Sequence, residues 1–395
     1  MIHSLKTILK YSLSVLFNPI WYSQLLINRD KNLWVFGGWF GKKYCDNSKI
    51  LFEYVLKNYT NKKVYWITSN DEVFFHLKKK NYPVLKKGSL KSIIVTLKAG
   101  FAFISSGKDD LQKYFLNGCE IVQLWHGSPM KRIELDDKKN RSKKRESIKK
   151  VFFNFFYEYT YDYVINTSPL FVPILSSAFD INEDKILLTG FPRNDLFFIT
   201  TKTNLINNID LDFNNPSKII YLPTFRTQSN IFNYLFEFNS ADNSLVDFLE
   251  RTNSVFILKP HFVEKNQINL DNKRFIFIED SAILEINLLL KDCDVLITDF
   301  SSVYFDFLLT RKPIILAPFN FNDYLENERE LYWNYFEDFP GCKAKSWQEV
   351  IDHLEFIFST KGNCFKNGLY SVDNFNFYKD RNSNKRIVDF LINKK

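Results

Sequence analysis

Two histidines follow apolar runs and are the first candidates for acid–base chemistry. His126 lies in Q-L-W-H-G-S-P, where glycine and proline favour a turn directly after the run Ile121–Leu124. His261 lies in L-K-P-H, directly after the run Val255–Lys259. In open α/β sheets, ligands gather at the carboxyl ends of the strands. Two histidines at such ends favour one shared cleft, with both side chains as candidate catalytic residues.

A serine pair at a predicted strand-to-helix junction is a candidate phosphate site. The segment C-D-V-L-I-T-D-F-S-S-V-Y-F-D-F-L-L runs from a buried strand into a helix that begins near Ser301 and Ser302. The free N–H groups and positive dipole end of such a helix start bind phosphate, and the two hydroxyls add donors. Asp306 lies four residues after Ser302 on the same helical face, where its carboxylate can accept hydrogen bonds from a polyol. The structural alternative is that Ser301 only caps the helix.

Two arginines that follow predicted strands are candidate diphosphate ligands. Arg193 lies in G-F-P-R-N-D after the run Ile186–Leu188, and Arg226 lies in Y-L-P-T-F-R after the run Ile219–Leu222. The planar guanidinium fork binds pairs of phosphate oxygens, although each arginine also has the simpler interpretation of a solvated surface residue. The sequence has no Walker A motif, no H-E-x-x-H and no metal-spaced carboxylate cluster. With cationic side chains available for the phosphates, we predict no dedicated metal site.

The elements that must position these residues are short apolar strands alternating with helical patterns. At about 100–200 residues per domain, the 395 residues favour two domains. Such alternation predicts an α/β fold with parallel sheets covered on both faces. The first series of predicted strands comprises Leu33–Phe36, Val64–Ile67, Phe101–Ser105, Ile121–Leu124, Tyr163–Asn166 and Ile186–Leu188. The second comprises Ile219–Leu222, Val255–Lys259, Phe275–Ile278, Val295–Thr298 and Ile314–Leu316. The polar stretch Thr200–Pro216 separates them, so we divide the chain into domains at 31–205 and 206–395.

The cysteines and apolar stretches exclude several other classes of protein. The five cysteines are scattered, odd in number and without a C-x-x-C pair, which argues against a disulfide framework or zinc site and favours a reducing cytoplasm. His76 and His353 lie inside predicted helices and are interpreted as structural. The longest uncharged stretch, residues 11–28, is interrupted by Asn18-Pro19, so no transmembrane helix is predicted. Residues 1–30 instead have the pattern of an amphipathic segment lying in a membrane interface, or equally of a helix packed on the protein's own core.

A basic run beside aromatic residues is a candidate membrane-binding surface on this chain of net charge +8. Lys138–Lys150 contains eight basic residues against only Glu146. An anionic membrane attracts such a run by about 1 kcal/mol per basic residue. The alternatives are a solvated face and a nucleic-acid site, and the second is disfavoured because no recognised nucleic-acid motif accompanies the run. The predicted membrane contacts are Lys143, Lys144, Arg145, Phe152 and Phe153.

Five ordered motifs resemble the CDP-glycerol glycerophosphotransferase family of teichoic acid synthesis. They are W-H-G-S-P, G-F-P-R-N-D, P-T-F-R, K-P-H and T-D-F-S-S-V-Y-F-D, and the resemblance extends from Phe36 onward. It implies a GT-B fold, two Rossmann-like domains with an interdomain cleft, at the cytoplasmic face of the membrane. It also implies transfer of a polyol phosphate, with glycerol phosphate expected, from a CDP-polyol to a lipid-linked saccharide or growing polymer. CMP is released, and no cofactor is expected.

The resemblance assigns roles to the candidate residues. It makes His126 the catalytic base and makes Arg226 and His261 contacts of the diphosphate, while Ser302 and Asp306 match the donor-site motif. Four departures from the usual family wording leave the choice between glycerol, ribitol and another polyol open. They are Phe191, Phe225, Phe300 and the pair Lys259-Pro260 before His261.

Two other functions remain open from the sequence. A GT-B glycosyltransferase using a nucleotide sugar would give a phosphorus-free product and a nucleoside diphosphate instead of CMP. A non-catalytic membrane-binding protein would keep its binding after loss of both His126 and His261. Two histidines at strand ends are unnecessary for adhesion alone, so the second alternative ranks last.

Overall fold

The first half of the chain forms a parallel sheet whose central strand, Ala99–Ile104, is buried along its whole length. The computed structural model describes residues 19, 21–138, 161–200, 213–224, 244–259, 272–278, 285–365 and 368–394. The strands are β1 (Asp30–Phe36), β2 (Lys63–Thr68), β3 (Val84–Lys86), β4 (Ala99–Ile104), β5 (Glu120–Gln123), β6 (Tyr163–Asn166) and β7 (Ile186–Leu188). Their order in the sheet is β3-β2-β1-β4-β5-β6-β7, and every described pair is parallel. The helices of this half are α1 (Asp46–Asn58), α2 (Asp71–Lys79), α3 (Leu90–Lys98) and α4 (Val172–Phe179).

The second half forms another parallel sheet of the same kind. Its strands are β8 (Ser217–Leu222), β9 (Ser254–Leu258), β10 (Phe275–Phe277), β11 (Val295–Thr298), β12 (Ile314–Leu316) and β13 (Cys342–Lys343), in the order β10-β9-β8-β11-β12-β13. The helices are α5 (Ser244–Arg251), α6 (Ile286–Asp292), α7 (Val303–Phe307), α8 (Phe321–Asn327), α9 (Tyr335–Asp338), α10 (Trp347–Thr360) and α11 (Ser383–Asn393). The predicted α/β class with two parallel, Rossmann-like sheets is therefore confirmed.

The apolar runs in the sequence correctly predicted nearly all of these strands. Parallel strands are buried on both faces, so they lack the alternation of apolar and polar residues. The two described strands without a prediction, Val84–Lys86 and Cys342–Lys343, are short and lie at sheet edges. Ser346 caps α10, with its Oγ accepting from the Glu349 N–H at 3.2 Å. The Glu349 carboxylate accepts from the N–H of Lys345, one residue before the cap.

The last helix crosses back to the first sheet. Ile387, Val388 and Leu391 of α11 are buried in the same apolar cluster as Trp34 of β1. The Asp195 carboxylate accepts hydrogen bonds from the backbone N–H groups at the start of α11, at 3.0 and 3.2 Å. Residues 383–393 thus pack on the first sheet, although the division at residue 205 assigns them to the second domain.

The expectation that the cysteines form no disulfide is wrong for one pair. Cys342 and Cys364 are joined by a disulfide, whereas Cys45, Cys119 and Cys293 are free and buried. The two bonded cysteines are 22 residues apart in the chain, so their spacing has no recognisable motif. They meet because α10 leads the chain away from β13 and the following loop returns to it.

The predicted membrane elements lie largely outside the described residues. Residues 1–18 and the run 139–160, which holds all five predicted membrane contacts, are among those not described. Residues 21–26 pack on the first domain: Trp21 is buried, and its carbonyl accepts from the Asn117 side chain at 2.7 Å. Among the described residues, no helix is both long and apolar enough to cross a membrane.

Candidate active site

The carboxyl ends of both sheets face one cleft of about 610 Å³. Strand order reverses between β1 and β4 in the first sheet and between β8 and β11 in the second. The segments that follow these four strands all line the cleft, through Trp39, Ser106, Leu222–Thr224 and Ser301–Ser302. Ligands of open α/β sheets bind at such switch points. The cleft therefore lies at the switch points of both sheets, where each sheet is expected to bind a ligand.

His126 lies in this cleft with its ring held by a backbone carbonyl. Nδ1 is 2.8 Å from the carbonyl oxygen of Ser105, and the ring lies between those of Trp39 and Trp125, with centroid distances of 5.1 and 4.1 Å. The tautomer assigned from this contact has Nδ1–H donating to Ser105, which leaves the lone pair on Nε2. Burial lowers the pKa of His126, opposed by the Ser105 carbonyl. The imidazole is thus neutral at pH 7 and able to accept a proton.

Five residues that line the cleft have a left-handed backbone although none is glycine. They are Trp39, Phe40, Asp46, Trp125 and Glu134, with φ angles of 49°, 59°, 68°, 51° and 47°. Such conformations cost of order 1–3 kcal/mol each and persist only where the surroundings over-determine them. Three of the five are aromatic, and two of these contact the His126 ring. The strain is therefore concentrated on the side chains that surround the candidate base.

The side chains of Asn47, at the start of α1, and Arg193 fix the backbone from residue 124 to residue 126. The Asn47 side-chain amide donates to the carbonyl oxygens of Leu124 and Trp125, both at 2.9 Å. Asn47 Oδ1 accepts from the backbone N–H of Arg193 at 3.1 Å. Arg193 Nη1 in turn donates to the His126 carbonyl at 2.8 Å. Asn47 and Arg193 are therefore positioning residues for the turn that carries His126.

Arg193 is also the centre of a buried ion cluster that joins the two domains. Nη1 lies 3.0 Å from Asp46 Oδ1 in the first domain, and Nη2 lies 2.5 Å from Asp306 Oδ2 in the second. Burial by itself favours the neutral guanidine, but Asp306 and Asp46 raise the pKa of Arg193, so it stays charged. Burial raises the pKa of Asp306 to about 6, with Arg193 opposing this shift. Direct binding of substrate by these two side chains stays a prediction, since here each is engaged with the other.

A second acid from the C-terminal domain completes this cluster. Glu285, directly before α6, accepts a hydrogen bond from the backbone N–H of Asp46 at 2.9 Å. Burial raises the pKa of Glu285. The cluster thus crosses the domain boundary through both Glu285 and Asp306.

The predicted serine pair lies where the two domains touch. The helix that follows it, α7, has only five residues, and Ser302 precedes it without a side-chain capping bond. Ser301 Oγ accepts from the Val303 N–H at 3.5 Å. Gly127 has φ of 151°, and a Cβ there would overlap the Ser302 side chain, so glycine permits this close approach. Ser302 therefore lies directly against the turn that carries His126.

A second set of contacts joins the domains through the residues that follow this turn. Lys131 forms an antiparallel bridge with Leu331, and the Trp333 indole N–H donates to the carbonyl of Pro129 at 3.0 Å. The Tyr332 hydroxyl donates to Asp136 at 2.8 Å. The residues after His126 are thus tied to the second domain, which makes one side of the cleft rigid.

Four residues that line the cleft carry a buried polar atom with no hydrogen-bond partner among the described residues. The atoms are Trp39 Nε1, Ser106 Oγ, Thr224 Oγ1 and Arg193 Nε. Buried polar groups are nearly always paired, so unpaired ones call for a specific explanation. In residues that line a cleft, such atoms are candidates to bind the hydroxyl and phosphate oxygens of a ligand.

The sequence predicted some of these residues and missed others. His126, Arg193, Ser301 and Ser302 line one cleft, and Asp306 lies behind it. Arg226 and His261 lie outside the described residues, although the preceding Thr224 and Lys259 both line the cleft. The positioning residues Asp46, Asn47 and Glu285 were not singled out. Asp46 and Asn47 stand in the K-K-Y-C-D-N segment, where only the family resemblance could have marked them.

Comparison with known proteins decides the family. Residues 20–393 match the family model described as CDP-Glycerol:Poly(glycerophosphate) glycerophosphotransferase. The chain belongs to this family. The resemblance drawn from the five motifs is therefore confirmed.

Relatives of this glycerophosphotransferase family align along nearly the whole chain. The teichoic acid glycerol-phosphate transferase of Staphylococcus aureus (strain NCTC 8325 / PS 47) is 28% identical over 379 residues, which are 92% of this chain and 93% of that protein. The teichoic acid poly(glycerol phosphate) polymerase of Bacillus spizizenii (strain ATCC 23059 / NRRL B-14472 / W23) is 28% identical over 386 residues, 93% of each. The solved structure of the wall teichoic acid polymerase TagF has a TM-score of 0.71 at 22% identity, covering 99% of this chain and 98% of its own. That likeness confirms the predicted GT-B fold.

Proposed function

We propose that this chain transfers glycerol phosphate from CDP-glycerol to a hydroxyl of a lipid-linked saccharide or growing polymer, with release of CMP. Family membership supports CDP-glycerol as the donor. The two near-full-length relatives named for glycerol phosphate support glycerol as the polyol. The cleft at two switch points supports a nucleotide-linked ligand bound between the domains.

The observation that carries the mechanism is the orientation of His126. With Nδ1–H donating to Ser105, Nε2 is the atom that accepts a proton. An acceptor hydroxyl is a poor nucleophile at neutral pH, and a positioned base contributes about 10²–10⁴-fold to the rate. The lowered pKa keeps the imidazole in its basic form.

The chemical step is an in-line displacement at the phosphorus that carries glycerol. The acceptor oxygen forms a new P–O bond while its proton passes to His126 Nε2. The bond from that phosphorus to the bridging diphosphate oxygen breaks, and CMP leaves with the electron pair. Charge on the transferred phosphoryl group is met by cationic groups and hydrogen-bond donors, the larger electrostatic part of such catalysis.

The donor site draws on the strand ends of the second domain. Lys259 and Thr224 line the cleft at the ends of β9 and β8, and Ser302 faces it across from His126. We include Arg226 and His261 in this site as diphosphate contacts, because each follows one of those cleft-lining residues by only two positions. Trp39 Nε1 and Ser106 Oγ, close to His126, are assigned to the acceptor side.

Peripheral binding to the cytoplasmic face of an anionic membrane is part of the same proposal. A lipid-linked acceptor requires the cleft to work at a membrane surface. The basic run Lys138–Lys150 begins directly after the segment that leads away from His126. Its charge would hold the acceptor side of the cleft close to the lipid headgroups.

A donor comparison tests the activity. Purified protein is incubated with a lipid-linked saccharide and CDP-glycerol, CDP-ribitol or a UDP-sugar in turn, and nucleotide products and product mass are followed. We expect CMP and a product heavier by glycerol phosphate with CDP-glycerol. A sugar-bearing product with release of UDP would establish the glycosyltransferase alternative instead.

A further inference from the structure

A cluster of two cysteines and one histidine lies on the second domain, outside the cleft. Cys342 begins the edge strand β13, His353 lies on α10, and Cys364 follows that helix by four residues. One ligand atom from each of the three lies within 4.8 Å of the other two. Cys342 is buried, and the other two are half-buried. None of the three lines the cleft.

The backbone around this cluster is already fixed. The N–H of Gly341 donates to the Cys364 carbonyl at 3.2 Å, and the two cysteine Cα atoms are 4.9 Å apart. His353 Nε2 lies 3.0 Å from the carbonyl of Lys343, the residue after Cys342. Both cysteines and the imidazole therefore keep their relative positions without a bound ion.

A disulfide between the two cysteines does not require the hydrogen bond between His353 and the Lys343 carbonyl. With Nε2–H donating to the Lys343 carbonyl, the lone pair resides on Nδ1. A histidine that ligates a metal usually donates its other ring N–H to a carbonyl or carboxylate in this way, which sets the tautomer. Two cysteine thiolates and one such histidine form a ligand set that is typical of zinc sites.

We propose that the chain in its reduced state binds one zinc ion through Cys342 Sγ, Cys364 Sγ and His353 Nδ1. A dithiol reductant takes the disulfide to two thiols and becomes a disulfide itself. Zn²⁺ then displaces one proton from each thiol, and the sulfurs separate to Zn–S distances of about 2.3 Å. Two thiolates and a neutral imidazole leave the zinc site without net charge, as a half-buried position requires.

Water completes the zinc coordination, because no fourth His, Cys, Asp or Glu of the described residues joins the cluster. The ion would link α10, and the loop that follows it, to the edge strand β13. The disulfide and the zinc complex are two alternative forms of the same link. Which of them holds the edge strand then depends on the thiol redox state.

Metal analysis of the untagged full chain tests this proposal. Protein reduced with a phosphine and incubated with Zn²⁺ is desalted, and the bound metal is measured by mass spectrometry. We expect about one zinc per chain, and less than a tenth of that in Cys364→Ser, in His353→Gln and in the air-oxidised wild type. Co²⁺ in place of Zn²⁺ should give thiolate charge-transfer absorption in the reduced wild type.

Matched variants distinguish this site from adventitious binding. Cys293→Ser and His76→Gln change a cysteine and a histidine outside the cluster and should retain about one zinc. Full retention in His353→Gln, or no zinc in the reduced wild type, would overturn the proposal and leave a simple disulfide. Loss of zinc in all variants alike, controls included, would also overturn it.

Discussion

Arg193 of the first domain donates to Asp306 of the second, Nη2 to Oδ2 at 2.5 Å, and at most 4% of either residue is exposed to solvent. The same guanidinium holds the carbonyl of His126. Arg193 thus joins the second domain to the backbone of the candidate base.

Replacing Arg193 should therefore destabilise the whole protein. Arg193→Gln leaves Asp46 and Asp306 as buried carboxylates without a counter-ion, and breaking such a pair costs about 3–5 kcal/mol of unfolding free energy. Urea denaturation measures the loss. The control is Arg386→Gln, which breaks a more exposed pair with Asp380 and should cost clearly less. Equal losses of unfolding free energy in the two variants would show that the buried cluster contributes no more stability than a more exposed ion pair.

The pKa of Asp306 predicts how stability changes with pH. Its folded value of about 6 lies above the ordinary value of 3.8. Between these values the folded state retains a proton that the unfolded state has lost, so the stability contributed by this group falls as pH rises through that window. The unfolding free energy of the wild type relative to Asp306→Asn should drop by on the order of 2 kcal/mol between pH 4 and pH 6.5. Parallel pH curves for the two proteins would contradict this.

The indole N–H of Trp39 should contribute to binding rather than to folding. Trp39→Phe keeps an aromatic ring beside His126 but removes a donor that has no partner among the described residues. We expect KM for the acceptor to rise about fivefold, equivalent to about 1 kcal/mol, with the unfolding free energy unchanged. Trp333→Phe, which removes a bond to the Pro129 carbonyl, should instead lower stability. An unchanged KM in Trp39→Phe would remove Trp39 from the acceptor site.

Membrane binding should depend on charge. Changing Lys143, Lys144 and Arg145 to serine should weaken co-sedimentation with anionic liposomes, and 1 M salt should do the same because the Debye length falls to about 3 Å. Neutral liposomes serve as the control, and Lys78, Lys79 and Lys80 changed to serine supply a matched loss of charge elsewhere. Binding that is insensitive to lipid charge, salt and the substitutions would show that the basic run is only a solvated face.

The fold could be predicted because burial leaves a pattern in the sequence. Runs such as Val295–Thr298 are apolar on both faces, as is typical of strands inside a covered parallel sheet. The return of α11 to the first sheet could not be predicted, since an amphipathic helix such as Ser383–Asn393 is the same in sequence whichever core it covers. The link between Cys342 and Cys364 was missed for a similar reason, because it depends on where α10 brings the chain.

The candidate site could be predicted only as far as strand ends are recognisable. His126 follows a strand and stands in a turn motif, so its place in the cleft followed from its neighbours in the chain. Arg193 also follows a strand, but the sequence does not distinguish a guanidinium that faces phosphate from one that faces Asp306 of another domain. Asn47 acts through the backbone of residues 124, 125 and 193, and these long-range contacts have no local signature.

The most direct test of the account measures CMP and product together for wild type and His126→Ala. With CDP-glycerol and a lipid-linked saccharide, the wild type should release one CMP for each glycerol phosphate added to the acceptor. His126→Ala should lose at least about 10²-fold in kcat while binding CDP-glycerol normally, because the base acts on the acceptor proton. His76→Ala, a change outside the cleft, should keep the wild-type rate. Near-normal turnover in His126→Ala, or release of CDP in place of CMP, would contradict the account.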